Sequence, residues 1–116
     1  MEHSVFVVGD HQWHAGYALV LLKRHVREPF ELSPDVQCAH FREVMRAAEA
    51  LNRTFRPRKM NFSCYGNAEP HVHWHLVPRH DEAAVDPWRD AARFSEKAIT
   101  AAVAGELAAE IRRNFV

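Results

Sequence analysis

Residues His71 to Arg79 read HVHWHLVPR. Three histidines alternate with single apolar residues, and the stretch closes on Val77-Pro78. Successive side chains of a β-strand point to opposite faces, so the pattern predicts a strand from His71 to Val77 that ends at Pro78. His71, His73 and His75 then share one face. Val72, Trp74 and Leu76 share the other, where they anchor the strand in a core. One face is structural and the other carries chemistry.

A row of imidazoles can serve three chemistries. The first is metal binding, but at the strand rise the outer two histidines lie about 13 Å apart, too far to meet one ion at about 2 Å. At most two neighbours bind together. The second is a phosphoesterase built on paired His-x-Ser or His-x-Thr units, and no Ser or Thr follows a histidine of the row at that spacing. The third is nucleophilic attack on phosphorus, with one imidazole attacking while its neighbours position and neutralise the phosphate.

Working back from the row, Lys59 to Tyr65 (KMNFSCY) alternates as a strand, and Gly66-Asn67-Ala68-Glu69-Pro70 makes a tight connection. Two strands joined this closely predict an antiparallel pair. Ser4 to Val8 (SVFVV) and Tyr17 to Leu22 (YALVLL) read as two further strands around a turn rich in Gly, Asp and small residues. Ser33 as N-cap, Pro34 at the first helical position and Asp35 in the first turn start a helix. Phe41, Val44, Met45, Ala48, Leu51 and Phe55 give it one apolar face. Arg42, Glu43, Arg46, Glu49 and Arg53 are then solvated, and Pro57 stops the helix near Phe55. After a polar loop over Asp81 to Pro87, a second helix is predicted from Trp88 onward, with Ile99, Val103, Leu107 and Ile111 recurring every four residues. Two helices on an antiparallel sheet make the class α+β.

Composition narrows the function. The 116 residues fit one domain over 1–116. Fifteen basic residues offset fifteen acidic ones, which argues against a protein that coats nucleic acid. A small anionic substrate held by local groups stays possible. Cys38 and Cys64 form no C-x-x-C pair, so two buried free thiols are expected rather than a cysteine-based zinc site. No apolar run is long enough to span a bilayer and no signal peptide is visible; the expected setting is cytoplasmic, without a membrane partner.

HVHWHLVPR resembles the signature of the histidine triad (HIT) family of nucleotide hydrolases and transferases. ALVLLKRHV is similar to that family's early strand and loop, in which a Lys, any residue and a His follow an apolar strand; Leu22 stands where a proline is common. FELSPD is similar to the following helix start, and NFSCYGNAEPHVHWHLVPR to the strand–loop–strand unit of the bacterial branch associated with diadenosine tetraphosphate hydrolases. The resemblance spans roughly residues 15 to 80 and implies an antiparallel sheet of about five strands with two helices.

The resemblance also implies roles. His73, the middle histidine, is the nucleophile that attacks the α-phosphorus of a nucleotide and forms a nucleotidyl-histidine, which water resolves to a nucleoside monophosphate. His75 bonds phosphate oxygens, His71 supports the site, and His25 packs against the triad and orients it. An asparagine ahead of the triad meets the phosphate or leaving group. Asn67 and Asn61 are the candidates, with Asn67 better placed at the end of the loop. A symmetric homodimer is implied. No metal or cofactor is carried over, since the start MEHSVF lacks the cysteines of zinc-bearing relatives. His3, His11, His14, His40 and His80 match no role and are expected at the surface. Trp13 and the Tyr17–Leu22 strand serve either as a base-binding wall or as core. A metal-binding histidine-rich protein and a catalytically silent nucleotide-binding module are the alternative readings. Residues 81 to 116 carry no functional motif, and the leaving group stays open.

Overall fold

A computed structural model describes residues 1–80, 86–89 and 97–116. The elements run β1 (Ser4–Val8), β2 (Ala18–Leu22), a short 3-10 turn (Pro29–Glu31), α1 (Pro34–Phe55), β3 (Lys59–Ser63), β4 (His73–Arg79) and α2 (Ala101–Arg113). The strands form one antiparallel sheet in the order β1-β2-β4-β3. The α+β class is as expected, with four strands among the described residues where about five were implied. Between β1 and β2 the chain folds back on itself around Tyr17, and His11 there forms an isolated antiparallel bridge with Ala98.

Local chemistry sets the limits of α1. The Ser33 hydroxyl accepts from the Val36 N–H, Pro34 opens the first turn, and Arg56 ends the helix in the left-handed region at φ 50°. Pro57 follows and cannot continue it. Val44, Ala47, Ala48, Ala50 and Leu51 of α1 pack with Val8, Ala18, Val20, Met60 and Leu76 of the sheet and Ile111 of α2 in a buried core. Alanines let the helix approach the strands closely. Phe41, by contrast, is half exposed and stands roughly perpendicular to Trp74, with ring centroids 6.2 Å apart.

The second helix starts later than the four-residue repeat implies. Thr100 caps it by accepting from the Val103 N–H, while the Ile99 N–H donates to the Asp10 carbonyl and so lies outside the helix. Of the stretch expected to open it, residues 90–96 lie outside the described residues, as do residues 81–85 of the expected loop. The Arg53 guanidinium donates to the Asn114 carbonyl, and the Asn114 amide to the Thr54 hydroxyl. These bonds hold the end of α2 against α1. No helix among the described residues is long and apolar enough to cross a membrane.

Two residues expected in solvent are buried. His40 and Glu43 lie on the inner side of α1, 3% and 8% exposed. The indole N–H of Trp74 donates to His40 Nε2 at 3.1 Å, and His40 Nδ1 meets the Ser4 hydroxyl at 2.8 Å. Ser4 donates to the Glu43 carboxylate, which also accepts from the His3 N–H at 3.0 and 3.2 Å. Because an indole only donates, His40 Nε2 must hold a lone pair, so the proton sits on Nδ1 and the ring is neutral. The cysteines reverse in the other sense: Cys38 and Cys64 are both exposed free thiols. Cys38 sits on the outer side of α1, and Cys64 follows the last residue of β3.

Burial pushes the His40 pKa below the usual histidine value, against an opposing pull from Glu43 and with a small further lowering from His3. Burial alone would raise Glu43, but the bonds from Ser4 and the backbone of His3 and Glu2 leave it below the usual carboxylate value. Both groups therefore bind protons more weakly folded than unfolded. Their contribution is complete above the ordinary histidine pKa of about 6.5 and is lost on acidification, first through His40 and then through Glu43. Melting temperature should fall as pH drops from 7 toward 5, and His40→Gln, which keeps an acceptor for Trp74, should flatten that part of the curve. An identical pH slope in the variant would refute the assignment.

Candidate functional site

Register places the site. Across β2 and β4, Leu21 faces His73 and Leu19 faces His75; across β3 and β4, Ser63 faces His75 and Asn61 faces Val77. Val5 and Val7 of β1 face Leu21 and Leu19. Residues opposite each other lie on one face of the sheet, so the histidines share theirs with Val5, Val7, Leu19, Leu21, Asn61 and Ser63. Both helices cover the other face, which leaves Val5 and Val7 45% and 39% exposed beside the imidazoles. This apolar strip is the histidines' neighbour on the β1 side.

The strand itself is shifted from the expectation. It begins at His73 and continues through Pro78 to Arg79. Pro78 is tolerated because β2 pairs only as far as Leu76. The Arg79 carbonyl accepts from Arg58 N on the β3 side, so position 78 turns toward the side where β2 has ended and no ladder bond is lost. His71 lies ahead of the strand yet stays on the sheet, since Leu22 N donates to the Val72 carbonyl and Val72 N to that of Val26.

Each triad histidine has a distinct set of bonds. His71 Nε2 is 2.6 Å from the Leu22 carbonyl, and its Nδ1 is 2.8 Å from Nδ1 of His25. A carbonyl only accepts, so His71 Nε2 carries a proton, and the Nδ1 atoms of His71 and His25 share one proton between them. Both ring nitrogens of His71 are thereby occupied. His73 Nδ1 is 2.7 Å from the His71 carbonyl. By the same logic Nδ1 carries a proton, so whenever the ring holds a single proton Nε2 keeps its lone pair. The rings of His73 and His75 lie 5.0 Å apart, tilted by 72°.

His75 is held by a residue that the histidine pattern does not reveal. Its Nδ1 is 2.8 Å from the hydroxyl of Tyr17, with the two rings nearly parallel at 4°. Tyr17 is 4% exposed, and burial, with a smaller effect from Asp10, pushes its pKa up to about 12. Burial and then the neighbouring His73 lower the pKa of His75. Trp88 stands edge-on to His75 at 5.1 Å, and Trp13 edge-on to Tyr17 at 4.6 Å. The alternation of Tyr17, Leu19 and Leu21 was the available signal, since it carries Tyr17 to the histidine face.

Of the asparagines, Asn61 lies half-buried on the histidine face of β3, and Asn67 is exposed in the loop ahead of His71. A cavity of about 490 Å³ lined by Lys59, Asn61, Ser63, Tyr65 and Trp88, among others, adjoins His75 on the β3 side. Among the described residues no three His, Cys, Asp or Glu side chains are grouped to hold a metal ion.

The sequence model of the HIT domain matches residues 2–82. The chain belongs to the HIT domain family. "Protein hit" of Bacillus subtilis is 27% identical over 85 residues, covering 68% of this chain and 58% of its own length. The chain therefore spans less than two thirds of that curated relative. A histidine triad (HIT) protein of Sinorhizobium meliloti superposes with a TM-score of 0.84 at 19% identity, over 98% of this chain and 84% of its own. A histidine triad protein of Bradyrhizobium japonicum gives 0.80 at 22%, over 100% and 87%. At these identities the structural likeness establishes the HIT fold.

The loop from Gly9 to Gly16 is built around Tyr17. The Gln12 amide donates to the carbonyls of Gly9 and Tyr17 and accepts from the Gly16 N–H. A Cβ on Gly9 would fall 2.3 Å from Cδ2 of Tyr17, well inside contact distance. Gly9→Ala should therefore destabilise the fold by about 1–3 kcal/mol, as overpacking does. A thermal melt checks this, and an unchanged melting temperature would show that the Tyr17 ring is free to move.

Proposed function

We propose that this HIT protein cleaves nucleotide conjugates at the α-phosphate through a covalent nucleotidyl-His73. The observation that carries the reading is the bond between His73 Nδ1 and the His71 carbonyl. It fixes the proton on Nδ1 and leaves the Nε2 lone pair available to a phosphorus atom. As the Nε2–P bond forms, the bond from phosphorus to the leaving group breaks and its electron pair departs with that group. Water then attacks the same phosphorus, releases the nucleoside monophosphate and restores the ring.

The neighbouring residues take supporting roles. His75 beside His73 donates to phosphoryl oxygens and stabilises charge as the transition state forms. His71, with both nitrogens occupied, is a strut between Leu22 and His25, and His25 keeps it oriented. Asn67 contacts the phosphate from the loop that leads into His71, while Asn61 on β3 lies toward the ribose or leaving group. Val5, Val7, Leu19 and Leu21 supply an apolar platform for the base. The substrate class is a dinucleoside polyphosphate or a related conjugate such as a phosphoramidate.

Replacing His73 by Ala should lower turnover by roughly a thousandfold or more, since the covalent route is removed. The fold should be intact, because the ring lies on the face away from the helices. Intact-protein mass spectrometry after a brief mix with substrate should show one nucleotidyl group on wild-type protein and none on the variant. Wild-type activity in His73→Ala would exclude the mechanism.

Self-association belongs to the same proposal. Phe30 is 77% exposed and Phe41 50% exposed, and with Trp74, Pro29 and Leu32 they line an apolar groove. Exposed patches of this kind mark association surfaces. Sedimentation should report twice the 13.4 kDa chain mass; a monomer at micromolar concentration would remove the homodimer from the proposal.

A further inference from the structure

We infer that Tyr17 is a positioning residue that sets the tautomer of His75. The inference rests on the proposed role of His75 as a donor to phosphate, and its principal test needs no substrate.

A neutral imidazole has one N–H, so His75 can offer a proton toward the site from Nε2 only while Nδ1 is bare. In His73 the backbone carbonyl of His71 imposes the opposite arrangement, with the proton on Nδ1. Two adjacent rings of the same residue type are thus asked for opposite tautomers, one to attack and one to donate. A carbonyl fixes the first because it can only accept. The second requires a partner that donates to Nδ1, and the Tyr17 hydroxyl is at that atom, 2.8 Å away.

The tyrosine suits the task chemically. With its pKa pushed up to about 12, the phenol keeps its proton throughout the neutral range. A phenol is a good donor, and an imidazole nitrogen is the stronger acceptor of the two. The O–H therefore points to Nδ1, which places the His75 proton on Nε2. The low pKa direction of His75 keeps the ring neutral, the state in which tautomer choice matters.

The surroundings are arranged to keep that hydroxyl in place. Tyr17 N donates to the His14 carbonyl and Gly9 N to the carbonyl of Tyr17. The ring fills the space that a Gly9 side chain would need, while Trp13 and Trp88 stand edge-on against it. The rings of Tyr17 and His75 lie nearly parallel, 6.0 Å between centroids, with the hydroxyl held at hydrogen-bond distance from Nδ1.

The test is Tyr17→Phe, which keeps the ring and deletes the hydroxyl. Long-range proton–nitrogen correlation spectra of imidazole-labelled protein distinguish the two neutral tautomers directly. Wild-type His75 should show the Nε2–H form, and the variant should show a mixture or the Nδ1–H form, with His73 unchanged. Turnover of a nucleotide substrate should fall about tenfold, the scale of one lost hydrogen bond, with kcat affected more than KM. A wild-type Nδ1–H tautomer, or a variant with unaltered His75 nitrogen shifts, overturns the inference. Tyr17→Leu guards against a packing effect: if it abolishes turnover while Tyr17→Phe matches wild type, the ring matters and the hydroxyl does not. Failure of nucleotide turnover in every form would count against the proposed function alone, because the tautomer result stands without it.

Discussion

The position of β4 between β2 and β3 is the constraint on which the molecule depends. Strand pairing fixes which of its residues face the helices, and side chains alternate with period two. A slip of one residue would turn His73 and His75 into the core and expose Trp74 and Leu76. The pairing is secured on both sides, by Leu19 and Leu21 on β2 and by Asn61 and Ser63 on β3. Beyond the start of the strand, main-chain bonds to Leu22 and Val26 carry the arrangement on to His71. The first histidine can therefore leave the strand and still present its carbonyl to the second.

The back of the strand is held by polar as well as apolar contact. Trp74 lies between the two site histidines, and its indole joins a chain of bonds through His40 and Ser4 to Glu43. Burying a carboxylate is costly unless donors surround it, and here a hydroxyl and a backbone amide do so. Apolar packing resists separation of helix and sheet but tolerates sliding. Directional bonds from β4 to α1 and from α1 to the start of β1 resist sliding too. The two faces of β4 are thereby coupled, one doing chemistry and the other fixing where it is done.

Much of this could be read from the chain. The start of α1 at Ser33-Pro34 and its end at Phe55 follow from local capping and from Pro57, with no tertiary information. The alternation of HVHWHL assigned the faces of β4 correctly, although the strand boundaries shifted by two residues. What escaped depended on partners distant in sequence. His40 and Glu43 read as solvated because Ser4 and Trp74, more than thirty positions away, are what make their burial tolerable. Pro78 read as a stop because the early end of its β2 neighbour is a property of the sheet. That His25 packs against the triad follows from family resemblance, and its partner there is His71. Cys38 and Cys64 were placed by residue type alone, which is a weak guide to burial for small side chains.

The contact between Gly9 and Tyr17 has an evolutionary consequence. Glycine at position 9 is needed only because an aromatic ring occupies the space above it. A lineage that exchanged Tyr17 for a smaller residue would be released from that requirement, and position 9 could then acquire a side chain. Once it had done so, the tyrosine could not return without a clash. The two sites form a ratchet: a relative with a side chain at position 9 should lack the tyrosine, whereas glycine there is compatible with either residue at position 17.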